Sequence, residues 1–425
     1  MKRFEALEFL NNDFIHSIKD PLWQNIAMTK PLKNLVSTKD VQKLARIKQN
    51  GPAYHIYPGA VHTRLNHSIG VYYLGRKILI SLASRCEDLP LTKTGMMSFL
   101  VACLLHDIGH FPYAHSLKEL AIREHEEIAS SMIKEDGELK DAIEKTGADY
   151  LMVANIIDKD APSSDEQTNI YRGILSGTLD PDKLDYLSRD GFFSGLPYGK
   201  QDTDYIISSL AFSDGSICLD HEAISSVEQV LFSKYMMYKT LYWHKGVRSA
   251  TSMIKKALII AIEEKTIDYN ELYFLDDFEF NMLCKEREAK CEALFLVDRV
   301  EHNQLLDLMC SKDYNSNGLI EKEGKKPNER RKFEREIHSE LSRKYPKLKE
   351  YEVILDIPED INFETHINIL MPDKSVHPIE EERLIFSSSV SKEFQKNLRK
   401  VSLYLPGYVK QDDASKVFER IYNGK

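Results

Sequence analysis

The run LVACLLHDIGH, residues 100–110, decides how the rest of this chain is read. Its first part is wholly apolar. It then sets His106 beside Asp107 and returns His110 one turn later. Burying such groups is costly unless they are hydrogen-bonded, paired or bound to a metal. The flanking pattern predicts a buried helix over 93–108, with Gly109 as its C-terminal cap and Pro112 enforcing the stop. The run therefore reads as a metal site built into a helical core.

The neighbouring sequence supplies partners. Seven of the 14 histidines fall between His55 and His125: His55, His62, His67, His106, His110, His115 and His125. Imidazole is the commonest ligand of transition metals and an acid or base near neutral pH. His67 opens a predicted helix over 66–84, just after Arg64. Two helices can thus present three ligands, and a fourth carboxylate must come from elsewhere. The stretch LDPDKLDYLSRD, residues 179–190, offers Asp180, Asp182, Asp185 and Asp190. Of these, Asp185 reads as a salt-bridge or capping residue. His55 and His62 read as loop residues rather than ligands.

Composition narrows the field. With 425 residues, 42% hydrophobic content and a net charge of −9, the chain can build one large or two smaller domains. The acidic balance disfavours a mainly electrostatic nucleic-acid binder, although a local phosphate pocket is allowed. The six cysteines are scattered without a CxxC pair, so neither a disulfide framework nor a zinc ribbon is expected. The first residues lack the apolar stretch of a signal peptide, and no apolar run approaches a membrane span. A cytoplasmic location without membrane attachment is expected.

Residues 1–35 read as a lead-in, and the spacing of Val41, Leu44 and Ile47 predicts a helix over 38–48. Further helices are predicted at 125–134, at 168–190 with an interruption near 177–181, and as one or two long helices over 222–264. The first 300 or so residues are thus overwhelmingly α. The tail differs. Residues 321–349 are dense in both charge signs and read as a solvated helix. Strand-like runs follow at 351–357, 366–371, 383–386 and 401–405, with a closing helix at 414–423. The expected fold is mainly α: a helical metal-site core over 1–310 and a smaller C-terminal α+β domain over 311–425.

Four separated segments, in this order, carry a family resemblance: HTRLNHS (62–68), LLHDIGHFPYAHS (104–116), EHEEIA (124–129) and DPDKLDYLSRD (180–190). They resemble the HD-domain phosphohydrolases, and within these the deoxynucleoside triphosphate triphosphohydrolase branch, over about residues 15–260. The resemblance implies that His67, His106, Asp107 and Asp182 hold a divalent metal. Their mixed N and O donors suit Fe, Mn, Zn or Ni better than Mg. It implies that His110, His115 and His125 line the phosphate path and assist proton transfer. It assigns Arg64 and Lys183 to the triphosphate, Gln49, Tyr186 and Asp190 to the deoxyribose, and Tyr242 to the base and sugar. The implied reaction converts a dNTP to a deoxynucleoside and inorganic triphosphate, in a homo-oligomer, dimer or tetramer.

This sequence departs from the branch at several points. Trp243 and Lys234 leave base preference open. Ser37 and Ala45 stand where relatives that read a guanine nucleotide activator carry Asp and Arg, while Gln42 is kept, so the identity of any nucleotide effector is open. Two alternatives share the motifs. One is a phosphomonoesterase or phosphodiesterase acting on another nucleotide. The other is a nucleotide-sensing or nucleic-acid-binding regulator, suggested by the charged 321–349 segment.

Overall fold

The computed structural model describes residues 1–86, 90–114, 123–135, 137–213, 215–359, 361, 363, 366–382, 384–386 and 388–423. It is 59% helical with small sheets, a mainly α fold with an α+β C-terminal region. No helix among the described residues is long and apolar enough to cross a membrane.

The N-terminal residues are more than a lead-in. Strands β1 (His16–Asp20) and β2 (Gln24–Met28) form an antiparallel hairpin. It packs by Ile26 and Met28 into the main core. Helix α1 (Arg64–Arg85) begins at a capping box of Thr63 and Asn66, which satisfies N–H groups that a helix start leaves unpaired. Helix α2 (Lys93–Leu105) is buried at every position from Gly95 to Leu105, as its all-round apolar sequence requires. Around it pack α1, α4 (Tyr150–Ile157) and α5 (Glu166–Leu175), and α3 (His125–Glu135) packs on α4. Helix α6 (Pro181–Ser194) starts with Asp180 as N-cap and Pro181 in the first turn, and ends on left-handed Gly195. It crosses α1 so closely that a Cβ on Gly70 would lie 1.9 Å from Asp185 Oδ1.

Two expectations are corrected at the end of α2. The helix stops at Leu105 rather than Ile108. The chain runs on into a tighter turn, in which His106 keeps helical angles and Ile108 N donates to Leu105 O at 2.9 Å. Gly109 is not a left-handed cap. A Cβ there would meet His125 O at 2.1 Å and Ala129 N at 2.7 Å, so it is glycine because the start of α3 passes against it.

Residues 222–264 form α7 (Ile224–Met237), a π turn over Tyr238–Tyr242, and α8 (Lys245–Glu263). Sheet structure enters the first 300 residues as well. Strands β3 (Leu210–Ser213) and β4 (Ser216–Asp220) form a hairpin. In the C-terminal half, β5 (Asp307–Asp313), β6 (Ile354–Asp356) and β9 (Lys400–Leu405) build a sheet in the order β5-β9-β6. Between them, β7 (Asn368–Leu370) pairs parallel to β4, and β8 (Val376–Pro378) pairs antiparallel to β7. Residues 384–386, expected in a strand, are irregular. Helices α9 (Pro327–Leu341) and α10 (Gln411–Tyr422) cover the three-stranded sheet with Ile337, Leu341, Phe418 and Ile421. Helix α9 is not merely a solvated face, because Arg330 and Glu334 are buried. Residue 310, the expected domain boundary, falls inside β5.

Candidate metal centre

Three elements converge on one point. Helix α1 brings His67, the turn after α2 brings His106 and Asp107, and the first turn of α6 brings Asp182. Ligand atoms of His67, His106 and Asp107 all lie within 4.8 Å of one another. Asp182 Oδ1 stands 2.9 Å from His67 Nε2 and 3.8 Å from His106 Nε2. Asp107 Oδ1 lies 3.3 Å from His106 Nε2.

The outer contacts fix how these groups face. Asp185 Oδ2 accepts from His67 Nδ1 at 2.8 Å, leaving Nε2 toward the centre. Asp185 is itself held by Arg189 at 2.8 and 2.9 Å and by Trp23 Nε1 at 2.5 Å. Arg189, fully buried, reaches on to Asp20 at 2.8 Å. His106 Nδ1 lies 3.0 Å from Cys103 O. A carbonyl only accepts, so Nδ1 carries a hydrogen and Nε2 is the nitrogen turned to the centre. That Nε2 is buried without a hydrogen-bond partner among the described residues, facing carboxylates.

A divalent cation fits this donor set, because carboxylates that converge on one point repel unless positive charge joins them. The electrostatics agree. Burial opposes a charge on His67, but the bonds from Asp182 and Asp185 outweigh it and lift its pKa to about 10. Burial would raise the Asp107 carboxyl, yet His110, His106 and Arg64 hold it well below the ordinary range. Asp182 is lowered by His67 and His106 against the same burial cost. The field that draws a proton to His67 is one that also favours a metal ion.

The centre opens into a cavity of about 630 Å³, the size class of a nucleotide pocket. His110 and His125 stand beside the cluster, with ring centroids 3.8 Å apart. His110 Nδ1 is 3.3 Å from Asp107 Oδ1, and His125 Nδ1 is 3.0 Å from Glu126 Oε2. Arg64 Nη1 donates to Asp107 Oδ2 at 2.7 Å, while its Nε is buried without a partner among the described residues. Gln49 is positioned by its neighbours: its N–H donates to His62 O at 3.0 Å, and Arg64 N donates to Ile47 O at 2.9 Å. Its Oε1 is likewise buried and unmatched among the described residues.

Tyr186, Asp190 and Tyr242 line the same cavity. Asp190 Oδ2 accepts from the Tyr242 hydroxyl at 2.6 Å, and Asp190 Oδ1 lies 2.7 Å from His62 Nε2. Burial pushes both tyrosine hydroxyls well up, with Asp190 adding to it at Tyr242.

One expected residue is not brought in. Lys183 does not line the cavity; its Nζ donates to Gly177 O at 2.8 Å and to the Asp180 carboxylate. Burial, partly offset by Lys183, lifts Asp180 to about 6. His115 lies outside the described residues.

Sequence reasoning missed Asp20, Trp23 and Arg189, and it read His62 only as a loop residue. His62 is buried, bonded to Asp190 and stacked on Phe193 at 4.7 Å. The one available signal was its place two residues before Arg64.

Family models match this chain as an HD domain over residues 64–185 and as an HD associated region over residues 201–422, more than half of the chain. An uncharacterized protein of Methanocaldococcus jannaschii is 28% identical over 92% of this chain and 79% of its own length. A Dictyostelium discoideum protein, described as a homolog of the deoxynucleoside triphosphate triphosphohydrolase SAMHD1, is 24% identical over 65% of this chain and 56% of its own. This chain therefore spans little more than half of that relative. The crystal structure of a Bacteroides thetaiotaomicron phosphohydrolase has the same fold, with a TM-score of 0.72 at 23% identity over 92% of this chain and 100% of that one.

Proposed function

The chain belongs to the HD-domain phosphohydrolases, in the branch that holds deoxynucleoside triphosphate triphosphohydrolases, and from that premise we propose that it hydrolyses dNTPs to deoxynucleoside and inorganic triphosphate. One observation carries the reading. Buried polar atoms without partners among the described residues, His106 Nε2, Arg64 Nε and Gln49 Oε1, all belong to residues lining one nucleotide-sized cavity. Such atoms are costly unless a ligand completes them.

His67, His106, Asp107 and Asp182 would hold the divalent cation, which when bound neutralises phosphoryl charge and acidifies water. Cations are needed on charge grounds too. Asp107, Glu126, Asp182, Asp190, Asp277 and Glu359 face the cavity against Lys48, Arg64, Lys159 and Arg248, so the protein alone does not balance a polyphosphate. In this reading Arg64 orients the phosphates, and its planar fork suits their oxygens. His110 and His125 orient water and pass a proton to the departing 5′-oxygen, a role shared by His115. Tyr186 packs against the deoxyribose, while Asp190 and Gln49 meet its hydroxyl. A homo-oligomer and a nucleotide effector belong to the same reading.

The test is incubation of the metal-loaded protein with each dNTP, followed by chromatography of the products. Deoxynucleoside and triphosphate are expected. Release of dNMP and pyrophosphate, or no turnover, overturns the proposal. The turned-away Lys183 favours a second reading, hydrolysis of a nucleotide with fewer phosphates, and a panel that includes monophosphates decides between them.

A further inference from the structure

The far end of the cavity has a chemistry of its own, supplied by the chain beyond residue 235. Tyr186, one turn after Asp182, faces Tyr242 with centroids 6.5 Å apart. Tyr242 faces Tyr238 at 5.0 Å, and Tyr238 faces Trp243 at 5.6 Å. Tyr238 and Tyr242 stand four residues apart at the two ends of the π turn, and both line the cavity. The rings thus form one continuous chain of contacts that starts beside Asp182. At their end stands Arg248, whose guanidinium is 6.0 Å from the Trp243 ring. Its Nε and Nη2 donate to Asp356 at 2.8 and 2.5 Å. That bidentate grip fixes the guanidinium plane and leaves Nη1 3.7 Å from Glu359 Oε2. Glu359 is half-buried and lines the cavity.

We propose that Glu359, oriented by Arg248 and lining the cavity together with the Tyr238, Tyr242 and Trp243 rings, reads the base of the nucleotide and selects guanine over thymine. The inference rests on the cavity being a nucleotide site. The rings supply stacking, which tolerates every base. A carboxylate supplies acceptors only. The Watson–Crick edge of guanine sets N1–H beside the N2 amino group, two donors matched to two oxygens. Its O6, next to them, is an acceptor suited to the Arg248 Nη1 hydrogens. Thymine offers one N–H between two carbonyl oxygens, which a carboxylate repels. Adenine and cytosine each offer a single amino group on that edge and fall between.

The test compares kcat/KM for dGTP and dTTP on the metal-loaded full-length protein and on Glu359→Gln. A glutamine amide serves either edge. The unaltered protein is expected to favour dGTP by about tenfold or more, within the range of a bidentate base contact, and E359Q to bring the ratio near one. A ratio near one before substitution, or a preference that survives it, overturns the inference. If no triphosphate is turned over, the proposed function falls separately. Base selection is then judged by equilibrium binding of deoxyguanosine and thymidine to the same two proteins. Tighter binding of deoxyguanosine that is lost in E359Q supports it, and equal binding overturns it.

Discussion

His67 is gripped from both sides. Asp182 faces Nε2, while Asp185 accepts from Nδ1 and is itself braced by Arg189 and Trp23. Carboxylate support of this kind sets the imidazole tautomer and strengthens it as a ligand. Asp185→Asn should therefore weaken metal binding by about 10- to 100-fold without removing any ligand. Titration of metal-stripped protein measures this, and an unchanged affinity would discard the role. His106→Ala with Asp107→Ala should abolish both bound metal and turnover; activity that survives would mean the centre is misassigned. His62→Gln should raise KM for the nucleotide by about tenfold, with kcat falling less, since it loosens one of two bonds that hold Asp190. An equal loss in kcat alone would argue for a different role. Only His106 and Asp107 stood out locally, as polar neighbours at the end of an apolar run; the choice of His67 and of Asp182 among four aspartates came from the resemblance. Asp185 was legible only as an ion-pair residue, because the bond that matters crosses 118 positions. Asp20 and Trp23 left no local pattern at all.

Helix α2 was legible because an unbroken apolar run can only be buried, yet its end was misjudged by three residues. Periodicity carries no notice that His106 and Asp107 must turn inward together. Gly109 makes the same point, since its cause is a neighbouring helix rather than its own backbone angles. Gly109→Ala should push the start of α3 away from the centre and cost about 1–3 kcal/mol of stability, the range for overpacking. It should also lower turnover per folded molecule, because α3 carries His125. Urea unfolding and active-site titration separate the two effects, and a variant with unaltered stability would rule out the close approach. The π turn at 238–242 was invisible for a related reason: one extra residue in a helix does not disturb an apolar pattern that is already dense. The strand expected at 383–386 failed on competition. The turn after β7, closed by Met371 N donating to Ser375 O at 2.9 Å, hands β7 the next residues, 376–378, as its partner. Residues 384–386 are left without a place in the sheet.

Across the whole molecule, the C-terminal half is fastened to the helical part by buried charge pairs as well as apolar packing. Tyr404 and Ile354 from the three-stranded sheet sit in the core built by α8. Lys256 pairs with buried Glu334, which also accepts from Leu355 N at 2.9 Å. Arg248 holds Asp356 with two bonds. These links explain why a charged segment that reads as solvent-facing supplies Glu334 to the interior: the partner lysine lies in α8, beyond the reach of any local pattern. Breaking a buried pair strands a charge in a dry interior, at a cost of about 3–5 kcal/mol. Asp356→Asn should lose about that much at neutral pH, since it leaves Arg248 without its bidentate carboxylate. The dependence on acidity has a definite sign. Burial alone would raise the Asp356 pKa, but Arg248 outweighs it and holds the group below its ordinary value. The stabilisation is thus in full force above about pH 4, the unfolded range, and fades as pH falls through the folded value. The gap in unfolding free energy between the unaltered protein and Asp356→Asn should narrow over that acid limb, followed by denaturant unfolding at stepped pH. A gap that stays constant, or widens on acidification, would mean that Asp356 does not carry its charge in the fold as its contacts require.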